Sequence, residues 1–227
     1  MRVLLLCDDH YHSGQVPIEG VVPLKEQGFT FDIITDAADF KIEMLKNYPV
    51  VILSKSDQRS AQDKTSWKTE AIQDAFIEYV ENGGGLVVTH NGTVAGENTD
   101  KINNLIGCRF ISHPSQCPVT VKPMKPHPVT KGVESFIETD EHYKLNILTN
   151  DIDILFVSHS PSQGDADKYE TDSYNNYESW IDTSGYVRTQ GKGRVCVLTP
   201  GHLLPVWLNP NYQRLLKNAI NWCAGDC

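Results

Sequence analysis

Histidines stand where this chain is best placed to do chemistry. His90 ends the run Gly83-Gly84-Gly85-Leu86-Val87-Val88-Thr89-His90 and is followed by Asn91-Gly92. A short buried strand that runs into a sharp turn and then a helix exposes one side chain at the edge of a sheet, the arrangement of a nucleophile elbow. His90 occupies that place; the competing reading is a polar residue capping the next helix. His202 follows the apolar run 194–199 and the turn Pro200-Gly201. A histidine titrating near neutrality is the usual general acid or base, and the alternative is a side chain that merely orients its loop. His10 and His12 flank Tyr11 just beyond the first apolar run. In an extended segment their spacing puts both on one face. With His202 or His90 they could form a three-histidine site for a divalent metal such as zinc, leaving one position open for water. Otherwise they bind substrate or nothing. The run Asp140-Glu141-His142-Tyr143 brings a carboxylate that could orient a histidine or carry the proton itself, against the commoner fate of a solvated acidic turn.

The remaining candidates read as structural. His113 and His127 each precede proline, where the backbone is pushed to extended or turn geometry, and His159 has no marked context. The glycine triplet 83–85 precedes its strand, so it stops a helix and does not cradle a phosphate. Arg188, Lys192 and Arg194 read as a solvated hairpin, with Arg188 able to reach an anionic ligand.

Short apolar runs alternating with helical patterns must position these groups. Strands are predicted over 3–7, 29–35, 50–53, 86–89 and 194–199, with strand-like segments near 109–112, 119–121 and 152–157. Helices are predicted over 16–27 and, most clearly, over 69–82, where Ile72, Phe76 and Val80 recur at helical spacing. A short helix is expected at 99–106. A last one is opened by Asn209-Pro210, a cap and a first-turn proline. Strand–helix alternation implies a mostly parallel sheet with helices on both faces. Ligands then bind outside the carboxyl ends of the strands, which picks out the loop after Cys7, the turn at His90 and the turn at Gly201-His202. The polar stretch 160–176 reads as a long surface loop.

Composition narrows the partners. A net charge of −9 disfavours phosphate backbones and anionic membranes, so neither nucleic acid nor a membrane is expected. No apolar run approaches the ~20 residues that cross a bilayer. The N-terminal run is followed at once by Asp8 and Asp9, which reads as a buried strand and not an export signal, and so as a cytoplasmic protein. The six scattered cysteines, with no Cys-x-x-Cys pair, fit free thiols in a reducing compartment. At 227 residues one α/β domain over 1–227 is the expected organisation.

Several motifs, taken in order, resemble the ThuA-like (trehalose-utilisation) family. They are His10-Tyr11-His12; the glycine-rich strand ending in His90; Asn104-Leu105-Ile106-Gly107 with His113-Pro114; and His127-Pro128-Val129-Thr130-Lys131-Gly132-Val133 with Asp140-Glu141-His142-Tyr143. The last and longest block runs from Gly185-Tyr186-Val187-Arg188 through Thr199-Pro200-Gly201-His202 to Trp207 and Asn209-Pro210. Two places depart from the family pattern: Asn91-Gly92 stand where small residues are usual, and His142 where an apolar one is. The resemblance implies a flavodoxin-like three-layer sandwich of the class I glutamine amidotransferase type, and a link to carbohydrate use. It places His202 where amidotransferases keep their catalytic histidine and raises His90, Glu141 and His202 to a catalytic set. His10, His12, Asn91, Asp140 and Tyr143 would line the place of a small-molecule carbohydrate ligand. Glutaminase activity is not expected, because attack on an amide at neutral pH needs a thiolate and His90 holds the elbow. The resemblance allows a homodimer, which the residues leave open. Three readings follow: acid–base chemistry on a sugar or keto-sugar, a sugar-binding or regulatory protein without catalysis, or a metal-dependent hydrolase using His10 and His12.

Overall fold

A computed structural model describes residues 1–160 and 182–226. Most of the polar stretch 160–176, Trp180 and Cys227 therefore lie outside the described residues. Among those described, one large sheet runs β2 (Thr30–Ile34), β1 (Arg2–Cys7), β3 (Val50–Ser54), β4 (Gly85–Thr89), β11 (Gly193–Leu198), β10 (Asp182–Gln190), β9 (Asp153–His159), β6 (Cys117–Pro123), β7 (Phe136–Asp140). The first five pair in parallel and the rest antiparallel. β5 (Cys108–Ser112) and β8 (Lys144–Ile147) form a separate two-stranded ribbon.

The central parallel strands β1, β3, β4 and β11 are mostly apolar because both their faces are covered, as parallel sheets require. Val3, Leu5, Cys7, Ile52, Val87 and Cys196 point to one side, against Trp207 of α5 (Leu204–Leu208) and Leu215, Leu216 and Ala219 of α6 (Pro210–Ala224). Leu4, Leu6, Val51, Leu53, Val88 and Val197 point to the other, against Phe76 and Val80 of α3 (Glu70–Glu81) and Ile102, Leu105 and Ile106 of α4 (Asp100–Ile106). The result is the expected three-layer, flavodoxin-like sandwich. Thr69 caps α3 by accepting from the Ile72 N–H at 3.4 Å, and Gly83 ends its connection to β4 at φ +113°.

Differences from the sequence reading follow tertiary packing. The helix expected over 16–27 is two short pieces, α1 (Gln15–Gly20) and α2 (Val22–Lys25). The break lets Gly20 sit against Trp207: a Cβ there would come within 2.6 Å of the tryptophan side chain. Strands β7, β8 and β10 went unread, since half-buried antiparallel strands carry polar residues and lack long apolar runs. Three strands separate β7 from β11 in the sheet order, yet α5 packs on β7. The antiparallel wing thus curls back toward the ends of the parallel strands.

Candidate active site

The three strand ends singled out by the parallel topology meet. β1 delivers the loop 8–14, β4 the turn at His90, and β11 the turn at Gly201-His202. β3, lying between β1 and β4, delivers Ser54 to Asp57 beside them. The curled wing adds the connection between β7 and β8, residues 141–143.

His90 is a true elbow residue. Its φ is +39°, an uncommon conformation for a side chain other than glycine, and such strain clusters at functional sites. A single 3-10 turn, His90–Thr93, follows, shorter than the helix expected there. Gly92 is required in it, because a Cβ would lie 2.1 Å from the Leu53 carbonyl oxygen. The His90 ring is almost fully buried. Its Nδ1 lies 2.8 Å from the Thr199 carbonyl oxygen, which can only accept, so Nδ1 carries the proton and Nε2 the lone pair. Burial lowers the His90 pKa, against opposing contacts with Glu141 and Asp140. The ring is therefore held neutral.

His12 is set in the same way. Its Nδ1 is 2.8 Å from Asp9 Oδ1. Asp9 is buried, and its carboxylate also accepts from Asn91 Nδ2 at 2.7 Å and the Ser56 N–H at 3.0 Å. Burial alone would raise the Asp9 pKa, but the His12, Ser56 and Asn91 contacts outweigh it and hold the group ionised. On the other side of the ring, His12 Nε2 lies 3.2 Å from the Tyr143 hydroxyl.

Glu141 joins the histidines. One oxygen, Oε2, lies 3.4 Å from His90 Nε2 and 3.1 Å from His202 Nδ1. Neither nitrogen makes an aligned hydrogen bond, though both are buried. Burial acts to raise the Glu141 pKa, but the opposing contacts, led by His202, more than reverse it, so the carboxylate is ionised. His202 is displaced upward: burial lowers its pKa, and the contact with Glu141 overrides that. The three imidazole rings sit 5.2–5.3 Å apart, centroid to centroid. One ligand atom from each of His12, His90, His202 and Glu141 lies within 4.8 Å of every other.

The remaining candidates fall around this centre. Tyr143 is buried and stacks on His90, with centroids 3.9 Å apart. Asp140 is buried and accepts from the Gly201 and His202 N–H groups at 2.8 and 2.9 Å, so it fixes the backbone that carries His202. Asn91 is buried and bridges Asp9 to Ser54. His10 stays outside: it is exposed, with Nδ1 3.2 Å from the Ala61 carbonyl oxygen. The His10–His12 pair therefore does not converge on one point. The backbone turns between them, with Asp9 and His12 exchanging main-chain hydrogen bonds, where an extended segment was expected. Two neighbours were missed. Asp9 was read only as an acid after a strand, and His113 as a turn residue, yet His113 Nε2 lies 3.5 Å from Glu141 Oε2. No spacing in the sequence signals either one.

The fold and the site together define a flavodoxin-like α/β sandwich with a histidine at its elbow. The chain belongs to the ThuA family, described as trehalose utilisation, which matches residues 2–223. Among solved structures it resembles a ThuA-like protein of Bacteroides uniformis, at 24% identity and a TM-score of 0.71, over 98% of this chain and 91% of that one. A ThuA-like protein of Parabacteroides merdae is 18% identical, with a TM-score of 0.72 and coverage of 99% and 90%. A cytoplasmic protein of Salmonella typhimurium is 15% identical, with a TM-score of 0.64 and coverage of 98% and 99%. Among curated proteins no relative matches. No helix among the described residues is long and apolar enough to cross a membrane.

Proposed function

We propose that the chain is a metal-dependent enzyme that performs acid–base chemistry on a sugar or keto-sugar. One observation carries this reading. The ionised Glu141 oxygen faces the His90 lone pair at 3.4 Å and His202 Nδ1 at 3.1 Å, and two electron-rich atoms so placed need a cation or a proton between them. The edges of a tetrahedron with bonds of about 2.0–2.1 Å are roughly 3.3–3.4 Å long, which fits these separations. The outer contacts agree: a metal-bound histidine commonly donates its other N–H to a carboxylate or a backbone carbonyl, as His12 does to Asp9 and His90 to Thr199.

In this reading His12, His90, His202 and Glu141 would hold a divalent cation such as zinc, and Glu141 is also the carboxylate that would take or give the proton. The cation would supply a Lewis acid to polarise a substrate oxygen. Family membership supports a carbohydrate substrate. The same geometry supports the absence of glutaminase activity, because the elbow holds a buried imidazole and no thiol. Cys7, Cys108, Cys117 and Cys196 are buried free thiols, which supports a cytoplasmic location.

Metal content of the purified protein tests the reading, compared between wild type, His12→Ala and His90→Ala. About one divalent ion per chain in wild type, lost in both variants with the fold intact by circular dichroism, is the expected result. Wild type that neither carries nor takes up zinc, manganese or iron overturns it.

A further inference from the structure

The histidine–glutamate centre does not account for a cavity of ≈ 380 Å³ that opens beside it. That volume is in the range of small-molecule sites. His12 lines the cavity and also belongs to the centre, so a molecule seated there reaches the centre without leaving the protein surface. One wall is the segment 94–98, which follows the elbow turn. Gly96 presses this wall against Asp57: a Cβ at Gly96 would lie 1.9 Å from Asp57 Oδ2.

Two polar groups of the lining are held in place by hydrogen bonds to the fold. Asp57 is buried, and its Oδ1 accepts from the Lys68 N–H at 2.9 Å, which leaves Oδ2 as an acceptor. Gln58 Oε1 accepts from the His10 N–H at 3.0 Å, which leaves the amide NH₂ as a donor. A fixed acceptor beside a fixed donor matches a pair of adjacent hydroxyls, since each hydroxyl can both give and take a hydrogen bond. Asn98 adds a second amide, and Tyr11, 67% exposed, offers apolar ring surface at the mouth. An aromatic face with a few planar polar groups suits a molecule that is apolar on its ring face and polar at its rim.

Charge sorts the ligand further. Among the described residues the cavity lining carries Asp57 and Glu97 against Lys64, whose Nζ lies 5.5 Å from the Tyr11 ring centre, while Lys68 is buried behind Asp57. A phosphate group seated there would meet the carboxylates of Asp57 and Glu97 at the wall itself, with Lys64 the ammonium among the lining residues. We infer that this cavity is a subsite for a neutral, unphosphorylated sugar ring, held by Asp57, Gln58, Asn98 and Tyr11 so that its neighbouring group meets the histidine–glutamate centre. The inference rests on the reading of that centre as the place of chemistry.

The test is calorimetric binding of trehalose, glucose and glucose 6-phosphate to the full chain. Metal content is measured on the same samples of wild type, Tyr11→Ala, Gln58→Met and Asn98→Ala. At least one neutral sugar is expected to bind saturably. Each variant should weaken that sugar at least fivefold while keeping the metal content of wild type, and the phosphate ester should bind at least tenfold more weakly than glucose. Equal or tighter binding of the ester, unchanged binding in all three variants, or no saturable binding of either neutral sugar overturns the subsite. Sugar binding that the variants weaken in a protein that takes up no metal leaves the subsite standing and removes the metal centre. Stoichiometric metal with sugar binding that the variants do not change does the reverse.

Discussion

Asp9 Oδ1 and His12 Nδ1 lie 2.8 Å apart, and that contact decides which nitrogen His12 presents to the other histidines. The Asp9→Asn variant keeps the shape of the side chain and loses its charge. Outer partners of this kind commonly change metal affinity by about 10–100-fold. We expect zinc affinity, read by competition with a chromogenic chelator, to fall by roughly that factor while the fold persists.

The elbow turn depends on Gly92. Its Cβ position lies 2.1 Å from the Leu53 carbonyl oxygen and 2.8 Å from Val88 Cγ1, and β3 has little room to retreat inside the sheet. Gly92→Ala should destabilise the protein by about 1–3 kcal/mol, the usual range for overpacking. Urea denaturation measures it, and a midpoint equal to wild type would show that the turn adjusts freely.

Lys55 is buried beneath the first loop, where its Nζ donates to the carbonyl oxygens of Cys7, Asp8 and Thr35. Burial lowers its pKa, and Asp8 and Asp9 oppose that. Lys55→Met removes these charge-assisted bonds from the loop that carries Asp9 and His12. A loss of about 1.5–3 kcal/mol is expected, together with weaker metal retention in dialysis.

His142 gives stability a pH dependence. Burial pushes its pKa down to about 4, with Ser158 opposing and the charges of Lys144 and His159 adding to the fall. An unfolded histidine titrates at about 6.5, so below that pH the unfolded chain takes the proton first. Stability should therefore fall as pH drops from about 6.5 toward 4. Melting temperatures across this window should decline less steeply in His142→Gln, which cannot take up the proton.

The sequence by itself determined the parallel half of the molecule. Apolar runs at β1, β3, β4 and β11 are continuous because those strands are buried on both faces, and that continuity is legible without coordinates. The elbow at His90 and the turn at His202 followed, since strand ends in such a sheet point to one edge. Only the tertiary structure decided what joins them. Glu141 reaches His90 and His202 because the antiparallel wing curls back, and the strands β7 and β10 of that wing, like β8 of the separate ribbon, alternate polar and apolar residues too weakly to be read. His12 was legible as a candidate, but its separation from His10 was not, because a main-chain turn between Asp9 and His12 sends the two rings to different places. Asp9 and His113 acquired their places by long-range packing alone. Local sequence sets which backbone conformations are favoured, whereas the convergence of four side chains from distant elements depends on contacts that no short window of residues contains.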